Sequence, residues 1–299
     1  MELTFLGTSC MVPTKERNVS GVYLSYKGEG ILLDCGEGTQ RQMNIAGINR
    51  NSVRKVLISH WHADHMAGLL GLLQTMGNMD DAGTVDIFGP KDTTMRMEHL
   101  LKCSAFDLRI RLNIHELTPK GVEVAVNENE YTILVAPMSH STPCVGFAFI
   151  EKDRRRVDMK YLKSLGVPEG PHLQTLQLGK SITHKGKHVD VEKATQLVKG
   201  KKIAWIPDTR PCQAIVDLGQ DADLMIIEAT YASSLPHKAE QYSHMTAKES
   251  ALLGNQANVK KLVLTHFSQR YDTTQEIEED ARTYFSDAVC AHDFMKIKL

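Results

Sequence analysis

The sequence predicts an α/β fold, on three observations. Short apolar runs of strand length recur along the chain, separated by turn residues. Between two of them, apolar residues recur at helical spacing. Several runs end directly on a His or an Asp, and open α/β sheets place their sites just beyond the C-terminal ends of strands. The chain has 299 residues, enough for one large or two small domains with a full core. Hydrophobic residues make up 42% and charged residues 24%, which argues against disorder. Lys and Arg number 35 against 36 Asp and Glu, which excludes a uniformly basic nucleic-acid coat but not a local basic patch. No run of about 18 apolar residues occurs, so no transmembrane helix and no membrane partner are expected. The N-terminus lacks the basic start and long apolar core of a signal peptide. The six cysteines are scattered without a C-x-x-C pair and read as free thiols of a reducing compartment, so cytoplasmic placement is expected.

In chain order, residues 2–6 and 22–26 alternate apolar and polar, as half-buried strands do. Ile31-Leu32-Leu33 forms the next run, closed by the turn Asp34-Cys35-Gly36-Glu37-Gly38. Val56-Leu57-Ile58 is another and ends on Ser59-His60. Met66, Leu69, Leu70, Leu73 and Met76 predict a helix after residue 65. Later strands are expected over 131–136, 144–150, 202–206, 223–228 and 261–265. No internal repeat or low-complexity tract interrupts this pattern.

One segment differs in charge. Glu151 to Lys202 holds 13 Lys and Arg against 6 Asp and Glu, a balance of +7 that leaves −8 on the rest. It contains Arg154-Arg155-Arg156 and Lys199-Gly200-Lys201-Lys202, with Gly166 to Pro171 expected to interrupt regular structure. Charge alone reads as a solvated excursion; a polyanion-binding arm needs support from elsewhere.

The strongest local signal is His60-Trp61-His62-Ala63-Asp64-His65. Imidazole and carboxylate are ligands for zinc and similar ions. In a tight turn, His60 and His62 point one way and Asp64 and His65 another, which suits two metals. His140, Asp208 and His266 each follow an expected strand. Singly, such residues are ordinary; as a set of seven ligands they are coherent. Asp34 is either a support for the metal site or only a turn residue. Trp61, Cys144 and Cys212 read as packing.

This set resembles the metallo-β-lactamase superfamily, through its H-x-H-x-D-H motif and distal His, Asp and His. The resemblance implies a four-layer αβ/βα sandwich with two divalent metals at one edge of the sheets, Zn2+ or alternatively Mn2+. His60, His62 and His140 would hold one metal, Asp64, His65 and His266 the other, and Asp208 would bridge them. Asp64 would also orient or deprotonate the attacking water.

Four further segments are similar to the tRNase Z family of tRNA 3′-processing endoribonucleases. Pro13, Lys15, Arg17 and Asn18 match P-x-K-x-R-N, a loop that implies contacts to the substrate. Ile227-Glu228-Ala229-Thr230 resembles H-E-A-T with Ile in first place. Ser243-His244-Met245-Thr246 resembles H-S-T with Met in the middle. By that resemblance Glu228 orients His244, which protonates the leaving 3′ oxygen; the competing reading makes His244 a cap for a helix beginning near Thr246. The basic segment, about 151–200, matches an inserted, protruding arm that grips tRNA, within a single domain spanning 1–299. The segment from His266 to Tyr271 adds Arg270 as a phosphate contact or a structural ion pair. The resemblance implies cleavage of the 3′ trailer from precursor tRNA after the discriminator nucleotide, by a homodimer. The alternative is a small-molecule ester or thioester hydrolase of the same fold.

Overall fold

The structure is a computed structural model that describes residues 1–78, 83–106 and 108–299. The chain divides into two compact units. The larger holds Met1–Val126, Ile133–Phe149 and Lys202–Leu299; the smaller holds Asn127–Thr132 and Ile150–Lys201.

Two seven-stranded sheets build the larger unit. The first runs, in spatial order, Lys296–Lys298, Glu2–Gly7, Gly21–Tyr26, Glu29–Leu33, Val53–Leu57, Thr84–Gly89 and Arg111–Glu116. The second runs Ala288–Cys290, Leu262–Thr265, Leu224–Glu228, Lys202–Ile206, Cys144–Glu151, Tyr131–Met138 and Glu123–Asn127. The central strands pair in parallel: Glu29–Leu33 with Val53–Leu57 in one sheet, and Lys202–Ile206 with Leu224–Glu228 and Leu262–Thr265 in the other.

These strands are nearly all apolar because both faces of each sheet are covered. Alternate residues serve the two faces. Leu32 and Val56 join Met43, Leu69, Leu73 and Met97 in a core beneath the helices Thr39–Ile45, Leu69–Gly77 and Thr93–Lys102. Ala204, Ile206 and Ile227 join Ile215, Ala251 and Ile277 beneath the helices of the other sheet. Between the sheets, Ile31, Leu33 and Leu57 meet Ile133, Phe147 and Trp205, and the rings of Tyr26 and Phe149 lie 5.1 Å apart. The layers are therefore helix, sheet, sheet, helix, the αβ/βα sandwich.

The expected strands are present, with one instructive difference. The run read as 56–58 begins at Val53. Arg54 and Lys55 hid its start, yet Lys55 is buried with its ammonium 2.7 Å from Glu29.

The smaller unit has a core of its own. Leu162, Val167, Leu176, Val189, Val191 and Ala194 are buried together. Arg154–Val157 pairs antiparallel with Thr195–Val198, and Ile182–His184 with Lys187–Val189. Gly166 to Pro171 falls between the helices Met159–Ser164 and His172–Gln177, where an interruption was expected.

Two glycines give opposite expectations. A Cβ at Gly36 would lie 2.2 Å from the carbonyl oxygen of Asp64, whereas one at Gly71 would meet nothing nearer than Gln40 at 3.8 Å. Gly36→Ala should destabilise by about 1–3 kcal/mol through overpacking, while Gly71→Ala, in an exposed helical position, should stabilise by ~0.5–1 kcal/mol. Urea midpoints that fall for both, or for neither, would contradict this packing.

Candidate metal centre

The parallel strands of both sheets end together, and each end delivers a candidate ligand or, in Asp34, a residue that holds one. Asp34 follows Glu29–Leu33, His60 follows Val53–Leu57, Asp208 follows Lys202–Ile206, and His266 follows Leu262–Thr265. Val145 N–H donates to Ser59 O at 3.0 Å and joins the two sheets at this edge. The motif splits as expected. His62 has extended backbone and caps the short helix Ala63–Met66, which carries Asp64 and His65.

Among the described residues, three overlapping sets of potential ligand atoms result: His60, His62, His140 and Asp208; Asp64, His65 and His266; and Asp208, His244 and His266. The first two together account for the seven residues expected from the sequence. In the first, His62 Nδ1 lies 3.0 Å from His60 Nε2 and 3.4 Å from His140 Nε2, and Asp208 Oδ2 lies 3.7 Å from His60 Nε2. In the second, His65 Nε2 lies 3.2 Å from His266 Nε2, and Asp64 Oδ2 lies 3.4 Å from each. Asp208 reaches both sets, with Oδ2 3.4 Å from His65 Nε2 and Oδ1 3.3 Å from His266 Nε2.

The tautomers follow from the outer partners. Asp34 is fully buried and accepts from Ser59 N–H, from Ser59 Oγ and from His65 Nδ1. Ser59 gives its proton to Asp34, so its lone pair receives His60 Nδ1–H at 3.0 Å. Thr230 likewise donates to Glu228 Oε2 at 2.7 Å and receives His266 Nδ1–H at 3.2 Å. His140 Nδ1–H donates to the carbonyl of Ser243 at 3.0 Å. Four imidazoles therefore aim their Nε2 atoms inward.

Two neutral imidazole nitrogens 3.2 Å apart repel, and a positive charge between them, whether a proton or a metal cation, relieves this. Asp208 Oδ1 is buried without a hydrogen-bond partner, a costly state for a carboxylate. The charges respond to this arrangement. Burial and neighbouring His65 lower the His60 pKa well below its ordinary value. Burial opposes protonation of His266, but Asp208 and other neighbours push it up to about 10. Burial would raise Asp208, yet His266 and His65 hold it well below the usual carboxylate range. Converging imidazole nitrogens bridged by an unpartnered carboxylate fit two divalent cations.

Beside this centre, Glu228 Oε1 accepts from His244 Nδ1 at 3.1 Å and from Thr209 N–H at 2.8 Å. Burial works against protonation of His244, but Glu228 and Cys10 outweigh it and push its pKa up to about 12. His244 is not the helix cap. Thr246 caps Ala247–Gln256 in a reciprocal pair with Glu249.

The expected substrate contacts divide. Pro13 and Lys15 are exposed, and Lys15 has no ion-pair partner among the described residues. Arg17 is only 6% exposed and donates to Tyr271 O at 2.7 Å, so its cation faces backbone instead of an incoming phosphate. Asn18 Nδ2 donates to Glu37 O at 2.9 Å. Arg270 makes no ion pair among the described residues; it lies 5.3 Å from the Tyr231 ring centroid. Sequence reasoning missed Ser59, the Ser243 carbonyl, and Met11, whose N–H donates to Asp64 Oδ2 at 2.8 Å. It also missed Cys10, whose thiol pKa burial would raise but the neighbouring His266 and His244 lower. Backbone groups carry no residue signature, and a lone thiol carries little.

Removing Asp34 should loosen both His60 and His65 without removing a ligand. Asp34→Ala should weaken metal binding by about 10–100-fold, read by competition with a chromogenic chelator. Unchanged affinity would mean that the ligands are held by packing alone.

A family model described as anti-Pycsar protein Apyc1 matches residues 1–118. The chain is 38% identical to a ribonuclease Z of Methanosarcina acetivorans, over 100% of this chain and 98% of that protein. It is 38% identical to a ribonuclease Z of Methanothermobacter thermautotrophicus, over 100% and 97%. Among solved structures it is similar to the short form of human tRNase Z, with a TM-score of 0.75, 26% identity and coverage of 100% and 99%. The metallo-β-lactamase fold protein YhfI of Bacillus subtilis, at 16% identity and a TM-score of 0.69 over 99% and 98%, shares the fold.

Proposed function

We propose that this chain, which belongs to the ribonuclease Z family, is a metal-dependent endoribonuclease that removes the 3′ trailer of precursor tRNA. Full-length identity to ribonucleases Z carries this reading over a small-molecule ester or thioester hydrolase of the same fold. The cut falls after the discriminator nucleotide and leaves a tRNA 3′-OH and a trailer 5′-phosphate.

His60, His62 and His140 would hold one divalent cation, Asp64, His65 and His266 a second, with Asp208 shared. Zn2+ suits this ligand set, and Mn2+ is the alternative. When bound, the two cations supply a water acidified towards neutrality and neutralise charge on the phosphoryl group. The chain's own residues do the rest. Asp64, fixed by Met11 N–H, orients the water and is placed to accept its proton. As the P–O3′ bond breaks, the electron pair goes to the 3′ oxygen, and His244 supplies the proton that makes it a hydroxyl. Glu228 orients His244 and balances its charge.

The smaller unit serves as the tRNA arm. Arg154, Arg156, Lys160 and Lys163 are exposed on it, whereas Arg155 is paired with Glu192. Such contacts read the shape of the RNA backbone and weaken with salt. Lys15, on the loop beside the centre, supplies a further cation, and Pro13 and Asn18 shape that loop. A homodimer and a cytoplasmic location complete the proposal. No helix among the described residues is long and apolar enough to cross a membrane.

An end-labelled, 3′-extended precursor tRNA tests the reading. Asp64→Ala should abolish the cut while leaving tRNA binding within about threefold of the native value, a gap well under 1.4 kcal/mol. Full activity in that variant, or no cut by the native metal-loaded protein, would overturn it. Arg154→Ala with Arg156→Ala should leave the cut site unchanged and reduce the slope of log affinity against log salt by about 1 per lost phosphate contact. An unchanged slope would remove these arginines from the interface.

A further inference from the structure

The loop from Ser9 to Asn18 is held far more firmly than an exposed loop requires. At its base, Thr8 N–H and Ser9 N–H donate to Asn18 O at 2.9 and 2.8 Å. The Asp293 carboxylate grips both ends, accepting from Thr8 Oγ1 at 2.9 Å and from Asn18 N–H at 2.7 Å. Arg17 ties the loop to Tyr271 O. At the tip, Val12 N–H donates back to Cys10 O at 2.6 Å and closes a three-residue turn on Met11, whose φ is +61°. A positive φ at the centre of such a turn is strained for any residue with a Cβ. Strain of this kind persists only where the surroundings over-determine it, and it gathers at functional sites.

The turn has two consequences. It aims Met11 N–H at Asp64, and it turns the Met11 side chain out to solvent, 75% exposed. A glycine would deliver the same N–H without strain, so the contact with Asp64 does not account for the thioether. What remains is a long apolar side chain, presented on a rigid turn, beside the carboxylate that the reacting water meets. If water beside Asp64 attacks the scissile phosphate, a nucleotide flanking that phosphate lies near this turn.

We infer that Met11 is a specificity-determining residue whose side chain forms an apolar shelf for the π-face of a nucleobase flanking the cut. The inference rests on the reading of the substrate as RNA. Thioethers pack favourably on aromatic rings, and base faces accept such contact whatever the sequence. Because the turn is already fixed, little freedom is lost when the base arrives.

The test pairs Met11→Gly and Met11→Leu with three precursor tRNAs: one intact, one abasic at the discriminator, and one abasic at the next nucleotide. On intact substrate, Met11→Gly should lower kcat/KM about five- to tenfold, mainly through KM, and Met11→Leu should restore most of it. On one of the two abasic substrates the same substitution should lower kcat/KM less than about twofold, since its partner is already gone. An equal loss on all three substrates, or no loss on the intact one, overturns the inference. Failure of the native protein to cut intact precursor tRNA would show first and would sink the functional reading instead.

Discussion

Mutual repulsion among inward-facing acceptors is the constraint on which the rest of this structure depends. His60, His65, His140 and His266 each direct Nδ1 outward, so four Nε2 atoms converge on one small volume. Asp208 adds a carboxylate oxygen with no hydrogen-bond partner. No amount of apolar packing relieves such a centre; only positive charge does. The sandwich holds the groups in place from outside. His60, His140, Asp208 and His266 follow strands locked between a helical layer and the opposite sheet, and the outer bonds of His60, His65 and His266 lead to the buried carboxylates of Asp34 and Glu228. The core therefore contributes to function as a rigid frame that keeps unfavourable neighbours together.

The candidate ligands were legible in the sequence because four of them cluster within His60 to His65 and because His140, Asp208 and His266 each follow an apolar strand, where an α/β sheet exposes side chains to one another. The pairing of Glu228 with His244 was legible only through resemblance, since 16 residues and a helix separate them. What stayed hidden shares a physical character. The Ser243 carbonyl and Met11 N–H act through backbone, and every residue has those groups. Arg17 looked like a phosphate contact because a guanidinium in a polar loop usually faces solvent; here the loop folds back and buries it. The strand from Val53 was half concealed for a related reason, because Lys55 is buried only by virtue of a partner, Glu29, on a neighbouring strand.

The basic segment shows how far composition reaches. Its charge alone read as a solvated excursion, and a polyanion-binding arm entered only through the resemblance. The information that it folds lay in Leu162, Leu176, Val189 and Val191, apolar residues spread thinly among the cations. Their core is small, and both strand ladders within it are short. A unit of that kind is well suited to a partner recognised by shape, because its basic residues are mounted on a fixed surface instead of a mobile tail, and less ordering opposes binding.

The loop around Met11 places the same logic beside the reacting atoms. A strained turn relaxes unless its ends are fixed, and here they are fixed from two directions, by Asp293 at the base and by Arg17 against the segment that follows His266. The second tie reaches the segment that follows His266, a residue itself at a positive φ of 63°. The stretch that resembles a substrate-contacting loop thus presents its two cations differently: Lys15 is exposed, whereas Arg17 is buried against backbone carbonyls. A guanidinium so placed holds the loop against its neighbour, and the strained turn at Met11 keeps its shape because both ends of the loop are fixed.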